Sequence, residues 1–102
     1  MILIQKLTDM IDEELSDAEK YCRCAMNHKE DHPNLANCFF RLSNEEISHA
    51  MLLHEQIVNL INEYRKEHGN PPERMQIIYD YVHSKYIERM NDLKIMQAVY
   101  KS

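Results

Sequence analysis

The chain is nearly without glycine. One residue in 102, Gly69, is glycine, and proline occurs only at positions 33, 71 and 72. That scarcity excludes a turn-rich β fold and a long disordered linker. Tryptophan is absent and phenylalanine occurs twice. No apolar run approaches 18 residues, so no membrane span is expected. The opening Met1-Ile2-Leu3-Ile4 is apolar but has no basic segment before it and no cleavage site after it, and it reads as a helix entry. Lysine and arginine are outnumbered by acids, 12 to 17, for a formal charge of −5. They form no cluster, which argues against a nucleic-acid footprint. The three cysteines are an odd count, and Cys22 and Cys24, two apart in a helical pattern, face different ways. Such spacing suits neither a disulfide nor a thiolate metal site and fits free thiols in a reducing cytoplasm.

What remains is a chain of strongly helical pattern, long enough for one domain, 1–102. A core this small would gain from helices of a second copy. Two breaks divide it. Asn27–Pro33 is polar and ends in proline; Gly69-Asn70-Pro71-Pro72 is the second break. Helices are expected at about 4–27, 33–68 and 72–100, with Pro33 suited to a first helical turn. The fold class is all-α, an antiparallel three-helix chain, because short connections pack neighbours antiparallel. In the first helix the stripe is Ile4, Leu7, Ile11, Glu14, Ala18, Tyr21 and Ala25. In the second it is Leu35, Phe39, Leu42, Glu46, His49, Leu53, then Gln56 or Ile57, then Leu60. The alternating steps of three and four mark a bundle seam. The third helix gives a rougher stripe: Ile78, Val82, Tyr86, Met90, Leu93, Gln97 and Tyr100.

Both good stripes are interrupted at their middle by Glu14 and by Glu46 with His49. A buried carboxylate costs roughly several kcal/mol unless something neutralises it. No lysine or arginine occupies the seams at that level, and a bound cation offers one shared explanation. Glu46 and His49, three apart, project from one face. Glu14 lies thirteen residues before Asn27 and Glu46 thirteen after Pro33, so antiparallel helices bring all three to one level. An isolated Glu-x-x-His pair on a helix is common on solvated faces, and a core acid can also belong to a metal-free polar network. It is the conjunction of three ligand types on two seams that favours metal.

Ferritin-like carboxylate bundles use two helices with a single Glu and two with Glu-x-x-His, all projecting inward. This chain has one of each. Glu13 to Tyr21 followed by Leu42 to Ala50 resembles the ferritin-like superfamily, closest to rubrerythrin-type helices and the short encapsulated ferritins. The resemblance covers roughly residues 11–53. It implies a half-bundle completed to a four-helix-type bundle by dimerisation, with Glu14, Glu46 and His49 as both metal ligands and the residues of ferroxidase-type chemistry. By that resemblance Tyr21 matches a tyrosine near the metal; as a residue it reads either as a hydrogen-bond donor to a ligating carboxylate or as an amphipathic tyrosine at the core's edge. The implied cofactor is di-iron, with manganese or zinc compatible with the same donors. The implied partner is a second copy, as a homodimer or larger even assembly. Two features depart from that pattern: the third helix is long, and Lys94–Ser102 carries no encapsulin-docking tail, which speaks against an encapsulin shell.

Other residues read as structure. Glu13 and Glu45 point about 100° from the ligands and suit solvent. His54 and Glu55 read as surface, since five residues from His49 is a poor same-face spacing. Asp80 and His83 form a helical pair off the apolar stripe. His28, His32 and His68 sit near the turns. The seven methionines fill core gaps. Tyr79, Tyr81, Tyr86 and Tyr100 occupy more than one face of the third helix, as at an interface. The readings left by sequence are an iron-handling oxidase, a metal-stabilised helical adaptor without turnover, and a metal-free interaction or structural domain.

Overall fold

A computed structural model describes residues 2–102. Three α-helices follow one another: α1, Ile2–His28; α2, Pro33–His68; and α3, Glu73–Lys101. There is no strand among the described residues. Pro33 occupies the first turn of α2, where its missing N–H costs nothing. Gly69 ends α2 at φ 78°, and its N–H donates to Arg65 O at 2.9 Å. This left-handed conformation is cheap for glycine alone.

The helices run up, down and up in a rod 56 × 17 × 17 Å. Ser43 donates to Ala18 O across α2 and α1, and Tyr21 stacks near Phe39, so these two helices are antiparallel. Tyr100 donates to Asn37, and Arg65 donates to Gln76, so α3 returns antiparallel to α2. The main core is built from Ile11, Leu15, Ala18 and Cys22 of α1, Ile47, Ala50, Ile57 and Ile61 of α2, and Met90 and Leu93 of α3. A smaller cluster of Ala25, Ala36 and Tyr100 closes the end where α3 finishes. None of the helices is long and apolar enough to cross a membrane among the described residues.

The buried stripes are rotated from the ones the sequence led us to expect. Ile11, Ala18, Ala25 and Ile57 are buried, as are Met90, Leu93, Gln97 and Tyr100 of α3. Leu35, however, is 44% exposed, and Phe39, Leu42, Leu53 and Leu60 are only half-buried. The innermost line of α2 is instead Ala36, Ser43, Ile47, Ala50, Ile57 and Ile61. The reason is the third helix: α3 packs on one side of the α1–α2 pair and pulls the core towards itself. The expected stripes border this core on the side away from α3. In the N-terminal half of α3, Ile77 and Ile78 face outwards, 61% and 57% exposed.

Candidate functional site

Glu14 projects from α1 and Glu46 and His49 from α2, on the side of the pair away from α3. One ligand atom from each lies within 4.8 Å of the others. His49 Nδ1 is 3.5 Å from Glu14 Oε2 and 3.8 Å from Glu46 Oε1. The structure therefore brings together the three residues singled out by their places in the seams. They are unequally covered: the Glu14 and Glu46 side chains are 26% and 19% exposed, whereas His49 is 53% exposed. Expected within a seam, His49 stands at its rim because a single chain has nothing to lay over it.

The electrostatics are unfavourable as they stand. Glu14 Oε2 is buried without a hydrogen-bond partner. Among the described residues, no lysine or arginine lies within ion-pair distance of Glu14 or Glu46; His49 is their single partner. The Glu46 carboxyl is pushed up to about 7, first by a proton shared with Glu14, then by burial and by the Glu14 charge; His49 opposes the shift. Two acids this close compete for one proton, as paired carboxylates do. A cation would satisfy both oxygens and relieve the repulsion. Carboxylate and imidazole together form a donor set for a divalent ion of borderline hardness such as iron, manganese or zinc. The residues present fit such an ion.

Tyr21 does not join the cluster. Its ring packs 6.3 Å from that of Phe39, and it makes no hydrogen bond to either carboxylate among the described residues. The cause is spacing: seven residues along a helix is about 10 Å, so Tyr21 meets α2 at the level of Phe39, two turns from Glu46. Met10, 40% exposed, and Leu3, 53% exposed, continue the same face of α1. Leu35, Leu42 and Leu53 flank the acids on α2. Apolar side chains thus flank the cluster along both helices, with the acidic Asp17 one turn from Glu14 beside them.

His54 was expected at the surface. It is half-buried, turned towards α3, and its Nε2 lies 3.0 Å from Nδ1 of His83. Comparison of His54 with His49 alone hid this, because His54 belongs to the other seam. The line Ser43, Ile47, Ala50, His54, Ile57 and Ile61 also steps by three and four and was a readable signal. His83 meets His54 without Asp80, which accepts a hydrogen bond from Gln76.

No protein-family profile matches this chain, and neither a curated protein nor a solved structure does.

Proposed function

We propose that this protein binds a pair of metal ions between two copies of itself, in a ferritin-like arrangement, and oxidises ferrous iron there. The observation that carries the reading is the buried, unpartnered oxygen of Glu14 beside Glu46 and His49, on an apolar strip left half-exposed. Three ligands are half of a six-ligand set of this design. A two-fold axis along the strip sets a second Glu14, Glu46 and His49 against the first and covers His49 in the same step.

The residues have distinct parts. Glu14 and His49 would each serve one ion, and Glu46 would be the shared carboxylate. Its carboxyl must give up its proton before it can bind, which ties uptake to pH near neutrality. Ferrous iron is the substrate. Two ferrous ions supply two electrons, oxygen takes them with two protons, and hydrogen peroxide and two ferric ions result. Carboxylates stabilise ferric over ferrous ion because the harder ion prefers oxygen donors. The half-exposed rim at His49 leaves a route for ions and oxygen until the partner closes it. Oxidation fits the molecule better than storage, since a small dimer has no cavity for mineral.

Anaerobic ferrous ion is mixed with the protein, air is admitted, and ferric absorbance is followed. The wild-type chain is expected to oxidise iron faster than buffer, and the Glu46→Ala chain is not. Equal rates for two folded proteins would leave a metal-stabilised adaptor as the reading. The Glu14→Ala, Glu46→Ala, His49→Ala triple variant is expected to lose stoichiometric iron binding. Unchanged binding there would remove the metal reading altogether. Sedimentation should show a dimer or a larger even assembly.

A further inference from the structure

We propose that His54 and His83 form a second metal site, independent of the acidic one, which holds a zinc-like divalent transition cation and clamps α3 onto α2.

The two imidazoles come from different helices and meet at a fixed distance. His54 Nε2 and His83 Nδ1 are 3.0 Å apart. Two nitrogens bound to one ion at 2.0–2.1 Å each stand roughly 2.9–3.4 Å apart for angles between square and tetrahedral. The nitrogens are thus at chelating separation but point at each other, and binding requires each ring to swing its lone pair by roughly 40° towards a shared ion. Their orientation is held by stacking. Tyr86 lies flat on His54, with centroids 4.1 Å apart and planes 5° apart, and Tyr79 stacks against His83 with centroids at 6.0 Å.

The protonation state also suits a metal. Burial, and then the neighbouring His83, lower the proton affinity of His54, which favours the neutral ring that metals require. In the metal-free chain the facing nitrogens share one proton. Moving it to the far nitrogen of the same ring presents two lone pairs to the ion, and no proton is released if both rings start neutral. A groove of about 290 Å³ beside the pair, reached past Thr8, Asp12, Tyr81 and Lys85, gives an ion and its remaining waters access. Two imidazoles with no carboxylate between them select zinc, copper(II) or nickel(II) over calcium or magnesium. The pair lies between one and two turns beyond Ile77 and Ile78, which α3 leaves exposed.

Zinc chloride titrated calorimetrically into the chelator-stripped chain carrying Glu14→Gln, Glu46→Gln and His49→Gln isolates this pair from the acidic cluster. One zinc per chain is expected. Adding His54→Gln or His83→Gln should weaken binding at least tenfold while circular dichroism shows unchanged helix. No uptake by the triad-free chain, or uptake unaffected by His83→Gln, would overturn the proposal. If the triad-free chain does not fold, copper(II) electron paramagnetic resonance on the otherwise wild-type chain decides. A copper carrying two imidazole nitrogens is expected, lost in His83→Gln and kept in His28→Gln. Spectra unchanged by His83→Gln would sink the assignment. Failure of the acidic cluster to hold iron would alter none of these outcomes.

Discussion

Helix α2 carries polar side chains to two neighbours, and it treats them differently. Towards α3, Ser43 is fully buried and fully engaged: its hydroxyl donates to Ala18 O at 2.8 Å and accepts from Gln97 Nε2 at 3.2 Å. Gln97 also donates to Asn44 Oδ1 at 2.9 Å. Away from α3, Glu46 faces Glu14, whose Oε2 has no donor unless the two acids share a proton. Buried polar groups cost free energy when unpaired and little when paired. The first cluster therefore reads as structure, fixing the register of α3. The second leaves two acids to compete for one proton. Burial alone would rank them the other way, since Ser43 is the more deeply buried.

The contrast predicts opposite signs for apolar replacement. Ser43→Val removes an engaged hydroxyl from a closed environment and leaves Gln97 with Asn44 alone. A loss of about 1–3 kcal/mol is expected, or roughly 4–8 °C in melting temperature per kcal/mol for a domain of this size. Thermal melts read by circular dichroism would show it. A neutral result would mean that the paired cluster carries no structural weight.

Glu46→Leu should go in the other direction when metal is absent. At pH 8, where Glu46 has lost its proton, replacing an acid that repels its neighbour with an apolar side chain removes a cost, and a gain of about 1 kcal/mol is expected. The apolar strip around it, Leu42 and Leu53 included, accepts leucine readily. The same variant should lose iron binding, so stability and function separate at this residue. Denaturant unfolding in the presence of a chelator measures the gain. A clear loss of stability instead would place Glu46 in the structural class with Ser43.

The metal-free chain should also lose stability as pH rises. Glu46 in the folded state keeps its proton to about 7, above its usual value of 4.5. Between those values the folded chain holds a proton that the unfolded chain has released. The stabilising contribution is complete below about 4.5, falls as pH climbs, and is gone above about 7. If the cluster holds iron as proposed, binding strengthens through the same interval as the proton leaves. Unfolding in urea at pH 5 and pH 8 should show the fall for the wild-type chain and a smaller one for Glu46→Gln. Equal slopes would mean that the two acids do not share a proton.

Much of this was open to a reader of the sequence, and the rest was not for identifiable reasons. Pro33 and Gly69-Asn70-Pro71-Pro72 punctuate the helices because neither glycine nor proline occurs elsewhere to confuse the signal. Equal spacing from the first turn was enough to set Glu14 level with Glu46 and His49. The rotation of the core was harder to see. The inner line of α2 uses Ala36, Ser43 and Ala50, small residues that carry little hydrophobic signal but allow close helix approach. The outer line uses Leu and Phe and looked like the core. The meeting of His54 with His83 depends on how far α3 slides along α2, which packing fixes and local pattern does not. That Glu14 lacks a donor is likewise a fact of three dimensions.

The smallest expected effect concerns the acids that do have a cation. On the α1–α3 seam, Arg89 reaches Asp12 Oδ1 at 3.2 Å, Ser16 Oγ at 3.1 Å and Glu19 Oε1 at 3.5 Å. Its side chain is 28% exposed and Asp12 is 60% exposed, so water already screens the pair. Exposed ion pairs contribute at most about 1 kcal/mol, commonly less. Arg89→Gln should accordingly lower the melting temperature by a few degrees in dilute buffer, and by less in 1 M salt, where the screening length is about 3 Å. The salt dependence makes the test specific. An arginine stem can also bury apolar surface, and loss of such packing alone would cost the same at any ionic strength. A salt-sensitive loss means that α1 acids gain from a cation even where water competes. Glu14, better covered than Asp12 and with no cation beside it, then has more to gain from one. A loss insensitive to salt would make Arg89 a packing residue and weaken the case that charge compensation governs this side of α1.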